Sequence, residues 1–396
     1  MDSLRLLFTS LLSILLGIMT FIFPKESTNL LFLGILCIMI LKIISNMFFW
    51  CELRNSKKFF SNLFLGIFIL LISYLVYKLK SSFVIFFKIS FMFFFILDSI
   101  NRIICFILIR KESTIKSIYY IVSSIISLLL AVFIFYNNIF TSYLTGIYIL
   151  TFGITYFRDF IMSISSYRLK GSRPTIPVLM ALFIPYFAYK RVKILQNVNK
   201  KIKGTFENKK ADIYITIHVG PKLYSRPGHM DICFEDEVIA FGQYDKDSLF
   251  FFKIFGDGVM YSLKNRLDYY NFVKKVDKKI VFEYGFSLSE KEKNIIRERI
   301  KNLKKDVISW SSPYNYTYAH KLENELNAQF YKFKTGKLKK YYSIRNNCVL
   351  LVDILVKDIL YDKIQAGSFI IPGNYMYYFD TMSKIPKSRI VSKKIY

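Results

Sequence analysis

Long apolar runs in the first 165 residues restrict the fold more than any other feature of this sequence. A membrane-spanning helix needs roughly 20 consecutive apolar residues. Hydrophobic residues make up 53% of the chain, a larger share than soluble proteins have. We therefore predict an α-helical polytopic membrane domain of six spans over residues 1–165. The six segments lie near 4–23, 30–50, 60–77, 83–109, 118–136 and 139–163.

The six segments form three predicted hairpins. Short loops join the two members of each pair, and longer, more basic loops follow each pair. Small residues let helices approach closely in lipid, and we expect Gly17 to act in this way in a first helix. The second helices repeat at corresponding positions: Gly34, Ser90 and Gly146, and likewise Asn46, Arg102 and Arg158.

The Leu-Gly-Ile patterning of this half, at Leu16-Gly17-Ile18 and Leu65-Gly66-Ile67, resembles the HdeD membrane family. The resemblance covers about residues 5–165 and implies a bacterial protein built from tandem apolar hairpins. That family is linked by name to acid resistance, so the resemblance also implies a role in stress response.

The loop charges predict the orientation. Each of the loops 51–59, 110–117 and 165–175 carries three Lys or Arg residues, whereas the opposite loops carry one, two and none. Basic loops stay on the cytoplasmic side. We therefore predict a multi-pass protein of the cell membrane with both termini in the cytoplasm.

A basic segment follows the last predicted span. Residues 176–210 contain eight Lys or Arg residues and one acidic residue, in a chain of net charge +28. The uncharged stretch 176–189 would reach only about 21 Å as a helix, too short to span. We predict an interfacial elbow and basic linker over 166–210 that binds anionic lipid headgroups, with a re-entrant segment as the alternative. No recognition motif accompanies the charge, so nucleic acid is not an expected partner.

Residues 211–396 alternate strand and helix patterns and predict a soluble α+β domain on the cytoplasmic side. Alternating residues predict strands at 212–219 and 229–234, with 237–244 as the hairpin partner of the second. In the second strand, His229, Asp231 and Cys233 share one face. Helices are predicted near 265–276, 288–308 and 317–330, and another begins at Cys348.

Asn347-Cys348 stands directly before Val349–Leu355, which predicts a buried helix. A thiol on the first turn of a helix lies at the positive end of the helix dipole, which favours the reactive thiolate. Thiol hydrolases also need a His that moves the proton and a polar group that orients this His. His229, at the start of the earlier strand, is the candidate base.

Gly228-His229…Asp231 followed by Asn347-Cys348 resembles the permuted NlpC-type and lecithin:retinol acyltransferase-like thiol hydrolases. The resemblance covers about residues 210–360 and implies a circularly permuted papain-like fold. It further implies that Cys348 forms an acyl- or peptidyl-enzyme, that His229 is the base, and that a third residue lies on the following strand. Positions 241–244 hold no His or acidic residue, so the third catalytic candidate there is Gln243. Further candidates are His218, Asn347 and Tyr244.

Three functions stay open on the sequence. The first is a cysteine hydrolase or acyltransferase acting on an amide, peptide or acyl substrate near the membrane. The second is a non-catalytic, membrane-tethered binding or stress-response module. The third is a transporter-like bundle, suggested by the charges of Lys42, Lys88 and Asp98, although Asp98 and Arg102 are spaced to pair on one helix face.

No cofactor or metal is expected. A zinc site built from His218, His229 and Cys233 is conceivable, but no compact metal-ligand motif supports it.

Overall fold

The computed structural model describes residues 2–26, 80–110, 114–165, 171–174, 178–197, 205–251, 254–361, 363–365, 369–385 and 388–396. The chain divides into two compact units. The first is Met1–Ile107 with Thr114–Ile161, and the second is Leu108–Ser113 with Met162–Tyr396. The predicted spans near 30–50 and 60–77, together with Lys42, lie outside the described residues.

Apolar helices make up the described part of the first unit. Three segments are long and apolar enough to cross a membrane, at Lys88–Leu108, Ser117–Tyr136 and Ile139–Ile164, and Leu6–Ile22 is a shorter apolar helix. These three match the predicted spans 83–109, 118–136 and 139–163. The total number of spans, the hairpin repeat and the orientation stay predictions. The helices are α1 (Asp2–Ile22), α2 (Lys80–Ile109), α3 (Thr114–Tyr136) and α4 (Asn138–Ile164).

Glycines bring α1 and α4 together. A Cβ added at Gly146 would overlap the Thr20 hydroxyl and lie 3.3 Å from the Gly17 carbonyl oxygen. A Cβ added at Gly17 would overlap the Leu150 side chain. Because packing rather than hydrophobicity holds helices together in lipid, these close approaches support the predicted role of Gly17 and Gly146.

The charged pair of α2 contacts α3. Arg102 Nε lies 2.6 Å from Asp98 Oδ2, which confirms the pairing predicted from their spacing. The Ser127 hydroxyl on α3 donates to the same carboxylate oxygen at 2.7 Å. Lys88 Nζ lies 5.5 Å from the centroid of the Phe135 ring. The Asp98 carboxylate is therefore engaged in contacts within α2 and between α2 and α3, and the transport role stays a prediction.

The second unit is an α+β domain built on a nine-stranded antiparallel sheet. This confirms the predicted α+β class of residues 211–396. The strands are β1 (Ser172–Pro174), β2 (Phe206–Glu207), β3 (Ile213–Val219), β4 (His229–Phe234), β5 (Glu237–Gly242), β6 (Phe255–Asp257), β7 (Val259–Lys264), β8 (Ile280–Phe286), β9 (Val307–Trp310), β10 (Gln329–Phe333), β11 (Lys340–Tyr342), β12 (Lys363–Gln365) and β13 (Ile390–Ile395). The strand order in the sheet is β2-β13-β8-β3-β4-β5-β7-β10-β9. Two further pairs, β1-β12 and β11-β6, lie outside this sheet. A permuted papain-like topology stays a proposal.

Helices cover both faces of this sheet. The helices of the first face are α5 (Val178–Asn197), α7 (Glu290–Lys305), α9 (Cys348–Leu360) and α10 (Pro372–Met382), and those of the second are α6 (Arg266–Asp277) and α8 (Tyr318–Leu326). The core of the first face contains Ile232 of β4, Leu351 of α9 and Phe379 of α10. On the second face Cys233 of β4 packs with Tyr269 and neighbouring residues.

The helix α5 covers residues 178–189 of the uncharged stretch and continues through the cations Lys190, Arg191 and Lys193. Pro185 lies inside it and has no N–H to donate to the Ala181 carbonyl. Gly373 of α10 lies against that carbonyl, since an added Cβ would overlap the Ala181 oxygen. The proline and the glycine together therefore allow α5 and α10 to pack closely.

Candidate functional site

The site begins where β4 and β5 separate. The paired residues of these strands run from Phe234 opposite Glu237 to Ile232 opposite Ile239. Beyond Ile232, the Met230 N–H donates to the Cys348 sulfur at 3.4 Å. The first residue of α9 therefore takes the place of a strand partner at this end of β4.

Asn347 fixes the start of α9. Its side-chain oxygen accepts from the Val349 N–H at 3.1 Å, so it is the N-cap. Its side-chain nitrogen donates to the carbonyls of Ser343 and Ile370, at 2.8 and 2.6 Å. These bonds hold the helix start, and with it Cys348, to one loop segment before the helix and to another after it.

His229 lies between the thiol and a carboxylate. His229 Nε2 is 2.9 Å from Asp231 Oδ1, an ion-pair distance. Burial alone would lower the pKa of His229, but the charges of Asp231 and Cys348 and hydrogen bonds to both raise this pKa to about 10. The imidazole is therefore protonated at neutral pH and faces both groups.

Asp231 is the centre of a buried polar network. Burial would raise its pKa, but His229 and His218 lower this pKa to about 2. The Tyr269 hydroxyl donates to Asp231 Oδ2 at 2.7 Å and is 2.6 Å from the Tyr261 hydroxyl. A carboxylate with this many partners stays ionised although none of its surface is exposed.

His218 lies on the neighbouring strand, directly opposite His229 in the β3–β4 register. Its Nε2 is 3.1 Å from Asp231 Oδ2 and 3.0 Å from the Thr216 hydroxyl. Burial lowers the pKa of His218 to about 4, against the attraction of Asp231. His218 is therefore neutral, and its place beside Asp231 is that of a buried supporting group.

Tyr341 approaches the backbone of the cysteine. Its hydroxyl lies close to the main chain of Cys348, and burial raises the pKa of Tyr341 well above its usual value. The first N–H groups of a helix have no partner within the helix. The Cys348 N–H and the Tyr341 hydroxyl thus lie together at the α9 start.

Exposure differs between the two reactive groups. Only 3% of Cys348 is exposed, whereas 23% of the His229 side chain is exposed. Gly228, with φ +90°, precedes this His, and a Cβ there would lie 3.5 Å from Pro185 of α5 and 3.4 Å from Pro372 of α10. The open edge of the site is therefore on the His229 side.

The structure brings together Cys348, His229, His218 and Asn347 among the predicted residues. The side-chain nitrogen of Gln243 is buried with no hydrogen-bond partner among the described residues. The Tyr244 ring packs edge-on against the Tyr261 ring, with centroids 5.3 Å apart, and burial raises the pKa of Tyr244 well above its usual value.

Asp231 was named from the sequence in the motif with His229 but was not assigned the orienting role. The strand periodicity placed it on the same face as His229, which was the available signal. The orienting group was instead sought on the following strand.

Cys233 has no comparable surroundings. It is 3% exposed, and burial raises the pKa of its thiol to about 12. Among the described residues, no group of His, Cys, Asp and Glu is arranged to hold a metal ion. A zinc site that includes Cys233 therefore gains no support.

No family model, curated protein or solved structure matches this chain.

Proposed function

We propose that the second unit is a cysteine hydrolase or acyltransferase in which Cys348 is the nucleophile and His229 moves the proton. The observation that carries this proposal is the arrangement at the start of α9, where the Cys348 sulfur accepts the N–H of Met230, the residue after His229, and His229 Nε2 lies 2.9 Å from Asp231. A nucleophile, a base and a group that orients the base are the parts that thiol catalysis needs. Asp231 takes the positioning role that the sequence assigned to Gln243.

The proposed reaction proceeds through a thioester. The Cys348 sulfur attacks a carbonyl carbon, an S–C bond forms, and the carbonyl electron pair moves to oxygen. The C–N or C–O bond then breaks, and the leaving group takes the proton from His229. Water or an acceptor group next gives a proton to His229 and attacks the thioester carbon, and the C–S bond breaks.

The α9 start suits the charge that develops on the carbonyl oxygen. Donors aimed at this oxygen stabilise the tetrahedral intermediate. The Cys348 N–H is one such donor, reinforced by the helix dipole. The Tyr341 hydroxyl, which lies close to the Cys348 main chain, would donate to the oxyanion when a substrate enters. The substrate class is an amide, peptide or acyl compound near the membrane.

Thiol alkylation of the full chain in detergent tests this proposal. A free cysteine ionises near pH ~8.5, so only about 0.3% of such thiols are ionised at pH ~6. We expect fast labelling of Cys348 at about pH 6, because the proposed reaction needs a reactive sulfur paired with a protonated His229. The protein for this assay keeps Cys348 and carries Ala at the other cysteines: Cys37, Cys51, Cys105 and Cys233.

Two histidine variants complete the assay. His229→Ala is expected to slow the labelling at about pH 6 by at least about tenfold, the effect of one pH unit in ionisation. His320→Ala is the matched control, since His320 lies on α8 and is hydrogen-bonded to Asn324. Equal, slow labelling in all three proteins would refute the thiol reaction.

A non-catalytic binding module is the second candidate. The 3% exposure of Cys348 favours it, because inert cysteines are typically buried. Under this alternative, Asp231 and its partners hold β3 and β4 together, and ligand binding at the His229 edge would not form a bond to sulfur. Slow labelling of a folded protein would favour this candidate.

A further inference from the structure

One face of α5 is apolar and exposed. The opposite face, with Ala181, Pro185 and Val192, is buried in the second unit. A helix on a water-exposed surface normally turns its polar side outward. The exposed residues recur at i, i+3, i+7 and i+14 and are Met180 (58% exposed), Phe183 (49%), Phe187 (64%) and Ile194 (63%).

Cations accompany this apolar face, and the sequence around them has no acidic residues. Lys190, Arg191 and Lys193 of α5 are exposed. No Asp or Glu occurs in the sequence between Asp159 and Glu207. An apolar stripe with uncompensated positive charge is complementary to anionic headgroups above acyl chains.

A second element extends the same surface. The 3-10 turn Leu223–Ser225 adjoins α5, because the Arg226 guanidinium lies 4.5 Å from the centroid of the Tyr186 ring. Leu223 is 76% exposed and Tyr224 is 75% exposed. Two separate segments of the second unit thus present large apolar side chains beside cations.

We propose that this docking surface, formed by Met180, Phe183, Phe187 and Ile194 of α5 with Leu223 and Tyr224, lies in the headgroup–acyl boundary of an anionic bilayer. The charge decides between a bilayer and a second copy of the chain. A second copy would bring the same cations of both chains together, and these like charges would repel each other, whereas anionic lipid neutralises them. The α5 helix also begins 14 residues after the end of α4, which contains an apolar segment long enough to cross a membrane.

The docking surface adjoins the thiol site. A Cβ added at Gly228, the residue before His229, would lie 3.5 Å from Pro185 on the buried face of α5. The helix that carries the docking surface thus packs beside the turn before His229, and a bilayer bound to its other face would lie near the exposed edge of the site. This step rests on the proposed function and narrows the substrate class to an acyl lipid or a lipid-linked amide.

Tryptophan quenching by brominated lipid tests the docking. Phe187→Trp is compared with Ile308→Trp, a 52% exposed apolar position on β9. Both proteins are full chains with Phe in place of Trp50 and Trp310, and both carry Cys348→Ala, so the readout does not depend on catalysis. The vesicles contain brominated phosphatidylcholine, with or without a minority of phosphatidylglycerol.

We expect the Phe187→Trp emission to fall at least about twofold more than the control emission, because an interfacial helix lies about 5–10 Å into the boundary. The quenching is expected to weaken when phosphatidylglycerol is omitted. Unquenched emission from Phe187→Trp would overturn the proposal and indicate that protein covers the face. Equal quenching in both lipid mixtures would overturn the selection for anionic lipid. Quenching combined with slow labelling of Cys348 in the wild-type chain would retain the docking and remove the catalysis.

Discussion

Asp231 connects the two histidines, two strands and the α6 helix. Its carboxylate contacts His229 on its own strand, His218 on β3 and Tyr269 on α6. Buried charges are tolerated only when they are paired and hydrogen-bonded. The protonated state of His229 depends on this carboxylate, since Asp231 is the largest of the influences that raise the pKa of His229.

Asp231→Asn tests that dependence. The amide keeps the shape of the side chain but removes the charge, so the pKa of His229 is expected to fall. Labelling of Cys348 at about pH 6 is then expected to slow by at least about tenfold. Gln243→Ala is the control, and its labelling rate is expected to stay within about twofold of wild type. The reverse ranking of the two variants would restore Gln243 as the orienting residue.

The location of His229 and Cys348 was predictable from local patterns, but their orienting group was not. Alternation along 229–234 indicated the shared face of His229 and Asp231. The choice of Gln243 assumed that β5 continues beside His229. If the pairing of Ile232 with Ile239 continued by three residues, His229 would lie opposite Gly242. The strands instead separate, because Cys348 occupies the end of β4, and this long-range contact has no local signal in the sequence.

The start of α9 is the element on which the geometry of the site depends. Asn347 caps the helix and donates two hydrogen bonds to loop carbonyls. A lost cap costs about 1 kcal/mol, and the unpaired carbonyls add to that cost. The Cys348 thiol would move with the first turn of the helix.

Asn347→Ala is therefore expected to lower the thermal midpoint of the full chain by about 2–8 °C, for a loss of about 1–2 kcal/mol. It is also expected to slow the labelling of Cys348. Thr317→Ala serves as the control. It removes the N-cap of α8, where the Thr317 side chain accepts from the His320 N–H. This control is expected to lower the midpoint without changing the labelling rate. Unchanged labelling in Asn347→Ala would show that the cap does not position the thiol.

At the scale of the whole molecule, the sequence separated an apolar half from an α+β half, and the described residues form two compact units. Hydropathy located the segments of α2, α3 and α4 because length and composition alone decide whether a helix can cross a membrane. The exposed face of the α5 helix was harder to predict from the sequence. Its 20 residues include Pro185 and combine apolar and cationic positions, and only its packing on α10 shows which face is exposed.

The central claim is that a half-buried, protonated His229 lies between Cys348 and an ionised Asp231. The most direct measurement is a pH titration of the full chain, labelled at its histidine rings, by nuclear magnetic resonance. The chain has three histidines, so His229→Ala and His320→Ala assign the signals. The pKa of His229 is expected to be about 10 and that of His218 about 4.

Cys348→Ala is expected to lower the pKa of His229, because Cys348 helps to raise it. A His229 ring that loses its proton near pH ~6.5, the ordinary value, and does so equally in wild type and Cys348→Ala, would contradict the account.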